Sequence, residues 1–176
     1  MEYDFETLVD RRRAGALKWD MMRRAQPDAP EDAAPLSVAD MEFVIAPEIR
    51  AALHQYIDTQ IPGYSGAPEG FHESVCSFLH RRHGLSVSPE ELVQTPGVVY
   101  ALSRAIRAVT EAGEGVILLT PVYYPFYRVI RDTDRTVVSC PLRYEDGRYS
   151  IDFALLETLA SRRENKVLLL CSPHNP

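Results

Sequence analysis

Lysine is nearly absent. Lys18 and Lys166 are the only two in 176 residues, against seventeen arginines, so any chemistry that needs a side-chain amine has two candidates. Cysteine is scarce too: Cys76, Cys140 and Cys171 are odd in number and lack the short paired spacing of a metal site. That argues against a disulfide framework or a zinc module and fits a reducing, cytoplasmic setting. No apolar run approaches membrane-spanning length, and the chain opens on the acidic Met1-Glu2-Tyr3-Asp4, so neither a membrane helix nor a secretory signal is expected. Positive charge is in deficit: 19 Lys and Arg stand against 25 Asp and Glu, for a net charge of -6, which speaks against a nucleic-acid partner. The local run Arg11-Arg12-Arg13 reads as a solvated helix face. No G-x-G-x-x-G or G-x-x-x-x-G-K-[ST] string occurs, which weighs against an ordinary nucleotide-binding domain. There is no internal repeat.

What is present is a soluble composition, 45% hydrophobic and 25% charged, with chain enough for a real core. Apolar spacing predicts a short helix over 5–14, followed by a Pro-rich arm in which Pro27, Pro30 and Pro35 forbid a continuous helix. A helix starts at Ala46-Pro47-Glu48, with Ile49, Leu53, Tyr56 and Ile57 as its apolar stripe. A second carries Phe71, Val75, Phe78 and Leu79 and closes at Gly84. From there strand and helix alternate: strand 92–95, helix 98–112, strand 115–119, helix 125–132, strand 136–139, a hairpin over 144–149 turning at Asp146-Gly147, a helix capped by Asp152 to about Ser161, and a last strand from Lys166. Alternation with short apolar strands points to an α/β fold, a mostly parallel sheet with flanking helices. Residues 1–46 read as an arm and small-domain segment, and 47–176 as the first, incomplete part of a larger domain.

In such a sheet chemistry collects past the C-terminal ends of the strands. Three turns there carry unusual residues. Thr95-Pro96-Gly97-Val98-Val99 runs into a helix; Gly97 permits close backbone approach, and the first free N–H groups of the helix favour an anion. Thr120-Pro121-Val122-Tyr123-Tyr124-Pro125 holds two tyrosines between prolines, one ring free to stack on a flat ligand and the other to face a substrate. Cys171-Ser172-Pro173-His174-Asn175-Pro176 offers the Asn175 amide as a donor to a ring oxygen. Each turn alone has an ordinary structural reading: a glycine before a helix, a surface turn with half-buried tyrosines, an Asx or Pro turn. His174 reads as solvent-facing or packed, and Cys171 as a buried strand-end thiol. Together the three suggest a phosphate-bearing aromatic ring, which describes pyridoxal 5'-phosphate (PLP).

At these residues the chain resembles the fold-type I PLP enzymes of the aminotransferase class I/II superfamily. More narrowly it is similar to the MalY/PatB branch of cystathionine β-lyase-like C–S lyases. The resemblance rests on Lys18-Trp19-Asp20, Val38-Ala39-Asp40-Met41-Glu42-Phe43 with Pro47, Gly63-Tyr64-Ser65, Pro96 to Val99, Gly113 to Val116, Thr120 to Tyr127 and Leu169 to Pro176. It implies that the Val98 and Val99 backbone, admitted by Gly97, holds the cofactor phosphate. It implies that Tyr123 stacks on the pyridine with Tyr124 nearby, and that Asn175 bonds the phenolic oxygen. Tyr64 would reach the phosphate of a neighbouring subunit, making a homodimer. Ala39 and Asp40 would lie by the substrate; a turn or cap carboxylate is the alternative for Asp40.

The resemblance also implies a Schiff-base lysine, and neither lysine fits. Lys18 lies in the N-terminal arm, and Lys166 opens its strand at the wrong end of the sheet. The chain therefore reads as an N-terminal portion, inactive alone. Its complete enzyme would eliminate the β-sulfur of L-cystathionine or L-cysteine to give a thiol, pyruvate and ammonia. An aminotransferase on the same scaffold, or a non-catalytic regulatory or binding remnant, are the competing readings.

Overall fold

The computed structural model describes residues 3–175. The chain divides into two compact units, Met1–Phe71 and His72–Pro176. Three helices precede the alternating part: α1 (Leu17–Ala25), α2 (Pro47–Thr59) and α3 (Phe71–His83), the last beginning at the division. Pro47 sits in the first turn of α2, and Gly84, at φ 65°, follows α3 as expected of a helix stop. The apolar stripe of α2 does not form a core within its own unit; Ile49, Leu53, Tyr56 and Ile57 are all exposed.

The helix expected over 5–14 is not there. Asp4 Oδ1 accepts the Glu6 and Thr7 N–H groups at 3.0 and 2.8 Å, and Asp10 Oδ1 accepts the Arg12 N–H at 3.0 Å. Aspartates that cap local turns in this way compete with helical bonding. The segment instead runs beside residues 42–43, with Leu8 bridged to Phe43 and the Val9 N–H bonded to the Glu42 carbonyl at 2.7 Å. Arg11 is accordingly not on a solvated helix face but half-buried.

The second unit is built on a parallel sheet of β1 (Gly115–Thr120), β2 (Thr136–Pro141) and β5 (Asn165–Leu169) in the order β2-β1-β5. In β1 Val116 and Leu118 face one side and Ile117 and Leu119 the other, and all four are buried, as a strand covered on both faces requires. Helices α4 (Val98–Val109) and α5 (Pro125–Asp132) cover the first face through Ile106, Phe126, Val129 and Ile130. Helix α6 (Phe153–Ala160) covers the second through Leu159, against Cys140. Asp152 caps α6 by accepting the Leu155 N–H at 3.1 Å, which with the Arg143 guanidinium holds its carboxyl below the usual range. The hairpin β3 (Arg143–Glu145) and β4 (Arg148–Ser150) turns at Asp146 and Gly147, both at positive φ, the backbone that a two-residue hairpin loop demands.

Two expected elements change. Residues 92–95 are not a strand: Leu92 closes a 3-10 turn (Pro89–Glu91), and Val93 is 86% exposed. Their β-type composition finds no neighbouring strand to share a ladder with among the described residues, and composition alone cannot make one. The helix expected over 98–112 ends at Val109, where Thr110 turns extended and anchors the Arg135 guanidinium.

Candidate functional site

The direction of α4 decides where Gly97 lies. Its C-terminal end is pinned at the edge where the strands begin. Arg135 Nε donates to Thr110 Oγ1 at 2.9 Å, and the Gly113 N–H bonds the Asp134 carbonyl at 2.8 Å. Helix α4 packs against α5 and β5, with Ile106 in one cluster with Val116 and Leu118, and runs back against the strand direction. Twelve helical residues rise about 18 Å and a six-residue strand about 20 Å, so the N-terminus of α4 reaches the edge where the strands end. Gly97 stands there at φ 103° and ψ 155°, a backbone open to glycine and closed to other residues. Among the described residues no side chain caps α4, so the first-turn N–H groups, Val98 and Val99 among them, are left for another acceptor. Both valines are exposed.

The other two turns meet at the same edge. The Tyr123 N–H donates to the Asn175 carbonyl at 2.7 Å, and His174 Nε2 is 2.7 Å from the Pro121 carbonyl. The Thr120–Pro121 and Ser172–Pro173 peptide bonds are cis. Tyr123 is half-buried, its ring 5.6 Å from that of Phe126 and perpendicular to it, while Tyr124 projects, 70% exposed. The two tyrosine rings lie 5.6 Å apart at 52°. Thus Tyr123 and Asn175 are directly joined, and Gly97, Val98 and Val99 share their edge. Cys171 is half-buried rather than buried, with Sγ 3.4 Å from the Pro173 carbonyl. Lys166 is at the opposite edge, its Nζ 3.6 Å from Glu114.

The remaining expected residues belong to the first unit. Tyr64 and Ala39 are exposed. Asp40 has both carboxylate oxygens engaged: Oδ1 lies 3.1 Å from Lys18 Nζ and Oδ2 2.8 Å from Arg11 Nη1. Lys18 is buried, 7% exposed along its side chain, and also donates to the Asp40 carbonyl at 2.7 Å and meets Glu42 Oε1 at 2.6 Å. Two positions before Asp40, Val38 adopts φ 58°, a strained conformation for a β-branched residue. That Lys18, Arg11 and Glu42 form one cluster with Asp40 is not legible in the sequence. Lys18 and Glu42 lie in stretches that carry the resemblance but have no role assigned there, and Arg11 belongs to a charged triplet that composition does not distinguish from a solvated face. A cleft of about 770 Å³ in the same unit, lined by Arg12, Trp19, Arg23 and Glu31 among others, contains none of the expected site residues. Arg12 is already held by Asp10, whose carboxyl that guanidinium lowers to about 2.

The charge cluster predicts a pH window. Arg11 first, then Lys18, holds the Asp40 carboxyl below its ordinary 3.8, so its stabilisation is present above that value and lost as pH falls through the lowered one. Glu42 first, then Asp40, raises the Lys18 ammonium above 10.5, so its contribution persists below that value and is lost on further rise. Trp19, the single tryptophan, adjoins Lys18 and reports on the cluster. Its emission is expected to stay constant between those limits and to shift on acidification below 3.8, with a smaller shift in Asp40→Asn. An acid shift as large in the variant as in the parent would contradict this.

Comparison with known proteins adds three findings. Residues 34–176 match the family model described as aminotransferase class I and II. Cystathionine beta-lyase PatB of Bacillus subtilis is 38% identical over 98% of this chain, and protein MalY of Escherichia coli 33% over 99%. The chain spans 44% of the length of each. The crystal structure of cystalysin from Treponema denticola, which contains PLP, superposes with a TM-score of 0.94 at 43% identity, covering 100% of this chain and 45% of that one.

Proposed function

The chain belongs to the aminotransferase class I and II family, and from that premise we propose that it forms part of a PLP-dependent carbon–sulfur β-lyase. The observation that carries the reading is the convergence of the uncapped α4 N-terminus, Tyr123 and Asn175 at one edge of the sheet. The donor set fits the cofactor: free N–H groups for a dianionic phosphate, a half-buried ring for a flat pyridine, and an amide for a phenolate oxygen. A Cβ on Gly97 would meet nothing within 4 Å, so the approach to those N–H groups is open.

When bound, PLP supplies the electron sink that makes an amino acid's α-proton removable. This chain's residues do the rest by placement. The Val98 and Val99 N–H groups hold the phosphate, and the helix dipole favours its charge. Tyr123 fixes the plane of the ring, and the Asn175 side-chain amide donates to the ring oxygen. Tyr124 lines the substrate side, and Ala39 keeps the substrate role that the resemblance implies. With both oxygens of Asp40 committed to Lys18 and Arg11, that residue holds the segment and leaves the substrate contact to its neighbours. Tyr64 extends to the phosphate of a second subunit in a homodimer. Lys18 is sequestered by carboxylates, and Lys166 lies at the far edge of the sheet. The amine that bonds the cofactor and moves the proton is therefore assigned to the length of the relatives that this chain does not span. The substrate is a sulfur amino acid of the L-cystathionine or L-cysteine kind.

The test is made on the full-length protein supplied with PLP. L-Cystathionine is expected to yield pyruvate, ammonia and a thiol in equal amounts, and the 176-residue chain alone none. Amino transfer to a 2-oxo acid without pyruvate release would replace the lyase reading by an aminotransferase. Among the described residues no helix is long and apolar enough to cross a membrane.

A further inference from the structure

Strand β1 hands its last carbonyls to different neighbours. The Thr120 carbonyl accepts the Leu142 N–H at 2.7 Å, on the β2 side. On the β5 side the last registered pair is Leu118 with Leu169. Beyond it β5 ends, and Leu170 is 57% exposed. Two bonds then reconnect the chains past the end of the ladder: Tyr123 N–H to the Asn175 carbonyl, and His174 Nε2 to the Pro121 carbonyl, both 2.7 Å.

We infer that His174 is a positioning residue, a side-chain substitute for the missing ladder bond that sets the Asn175 amide at a fixed reach from the Tyr123 ring. A carbonyl only accepts, so Nε2 carries the proton and donates. A neutral His174 is thereby held as the Nε2–H tautomer. The backbone bond alone leaves residues 172–175 free to pivot about one point, because one hydrogen bond fixes a distance and not an orientation. The second bond, one residue earlier on one turn and two residues earlier on the other, removes that pivot. The imidazole bonds the Pro121 carbonyl and acts through Asn175. His174 is solvent-exposed, so replacing it opens no cavity in the core.

This inference rests on the cofactor reading above, and the experiment separates the two. The full-length protein, freed of cofactor, is titrated with PLP, and the absorbance of the bound form is recorded for the parent, His174→Leu and His174→Gln. Glutamine carries an N–H donor at nearly the reach of Nε2, and leucine has none. Loss of one such hydrogen bond is expected to weaken PLP binding about tenfold in His174→Leu, with a shifted absorbance maximum. His174→Gln is expected to restore the affinity to within about twofold and the absorbance maximum to that of the parent. Unchanged affinity and spectrum in His174→Leu overturn the inference and leave the function standing. A parent that binds no PLP overturns both. Failure of His174→Gln to restore what His174→Leu loses overturns the hydrogen-bond assignment. A nitrogen-15 spectrum of the parent gives a check free of cofactor: the Nδ1–H tautomer as the main neutral form of His174 would also overturn it.

Discussion

Gly97→Val is expected to weaken PLP binding by the full-length protein about 10–100-fold while leaving the core of the second unit intact. The reason is backbone and not bulk. A Cβ at Gly97 would meet nothing within 4 Å, so there is no clash to relieve. The residue stands at φ 103° and ψ 155°, however, a conformation that a β-branched side chain resists by about 1–3 kcal/mol. The chain escapes by rotating the 96–98 peptides, which turns the Val98 and Val99 N–H groups away from the phosphate they are proposed to hold. That strain, expressed in the bound state, corresponds to the stated loss of affinity. Titration with PLP measures it, and a melting curve of the cofactor-free protein separates it from unfolding. Parent-like affinity in Gly97→Val would remove the α4 N-terminus from the site.

Ile130→Ala is expected to cost about 2–5 kcal/mol of unfolding free energy. Ile130 is fully buried on α5, in one cluster with Val116, Leu118 and Phe126. The backbone around it is fixed independently of its side chain, since its carbonyl accepts the Arg135 N–H at 3.0 Å and the Thr133 hydroxyl at 2.9 Å. With the helix end held, the site cannot close over the deleted atoms, which places the cost toward the upper part of that range. Tyr123 packs against the same cluster, so the loss reaches the candidate site through its seat. Urea unfolding of the full-length protein measures the effect; a cost under about 1 kcal/mol would show that α5 is loosely seated.

The alternating half of the chain was legible because its signals are local. A run such as Gly115–Thr120 is too short and too apolar for anything but a covered strand, Asp152 announces a helix, and Asp146-Gly147 announces a hairpin. The two helices that start near Pro47 and Phe71 were legible for the same reason, but the N-terminal arm was not, because there local signals conflict. Phe5, Leu8 and Val9 have helical spacing, yet Asp4 and Asp10 offer the backbone nearby turns, and the turns prevail. Residues 92–95 failed for the opposite reason: strand composition without a strand beside it.

From sequence alone came the alternation of elements, the three chemical turns and the poverty in lysine, all of which depend on residue identity and near neighbours. Tertiary structure alone decided that the Tyr123 and Asn175 turns are bonded to each other, that α4 brings Gly97 to their edge, and that Asp40 is neutralised by Lys18 and Arg11. These facts join positions far apart in the chain. They follow from the direction in which a helix returns across a sheet, and from ion pairs formed only after burial makes an unpaired charge costly.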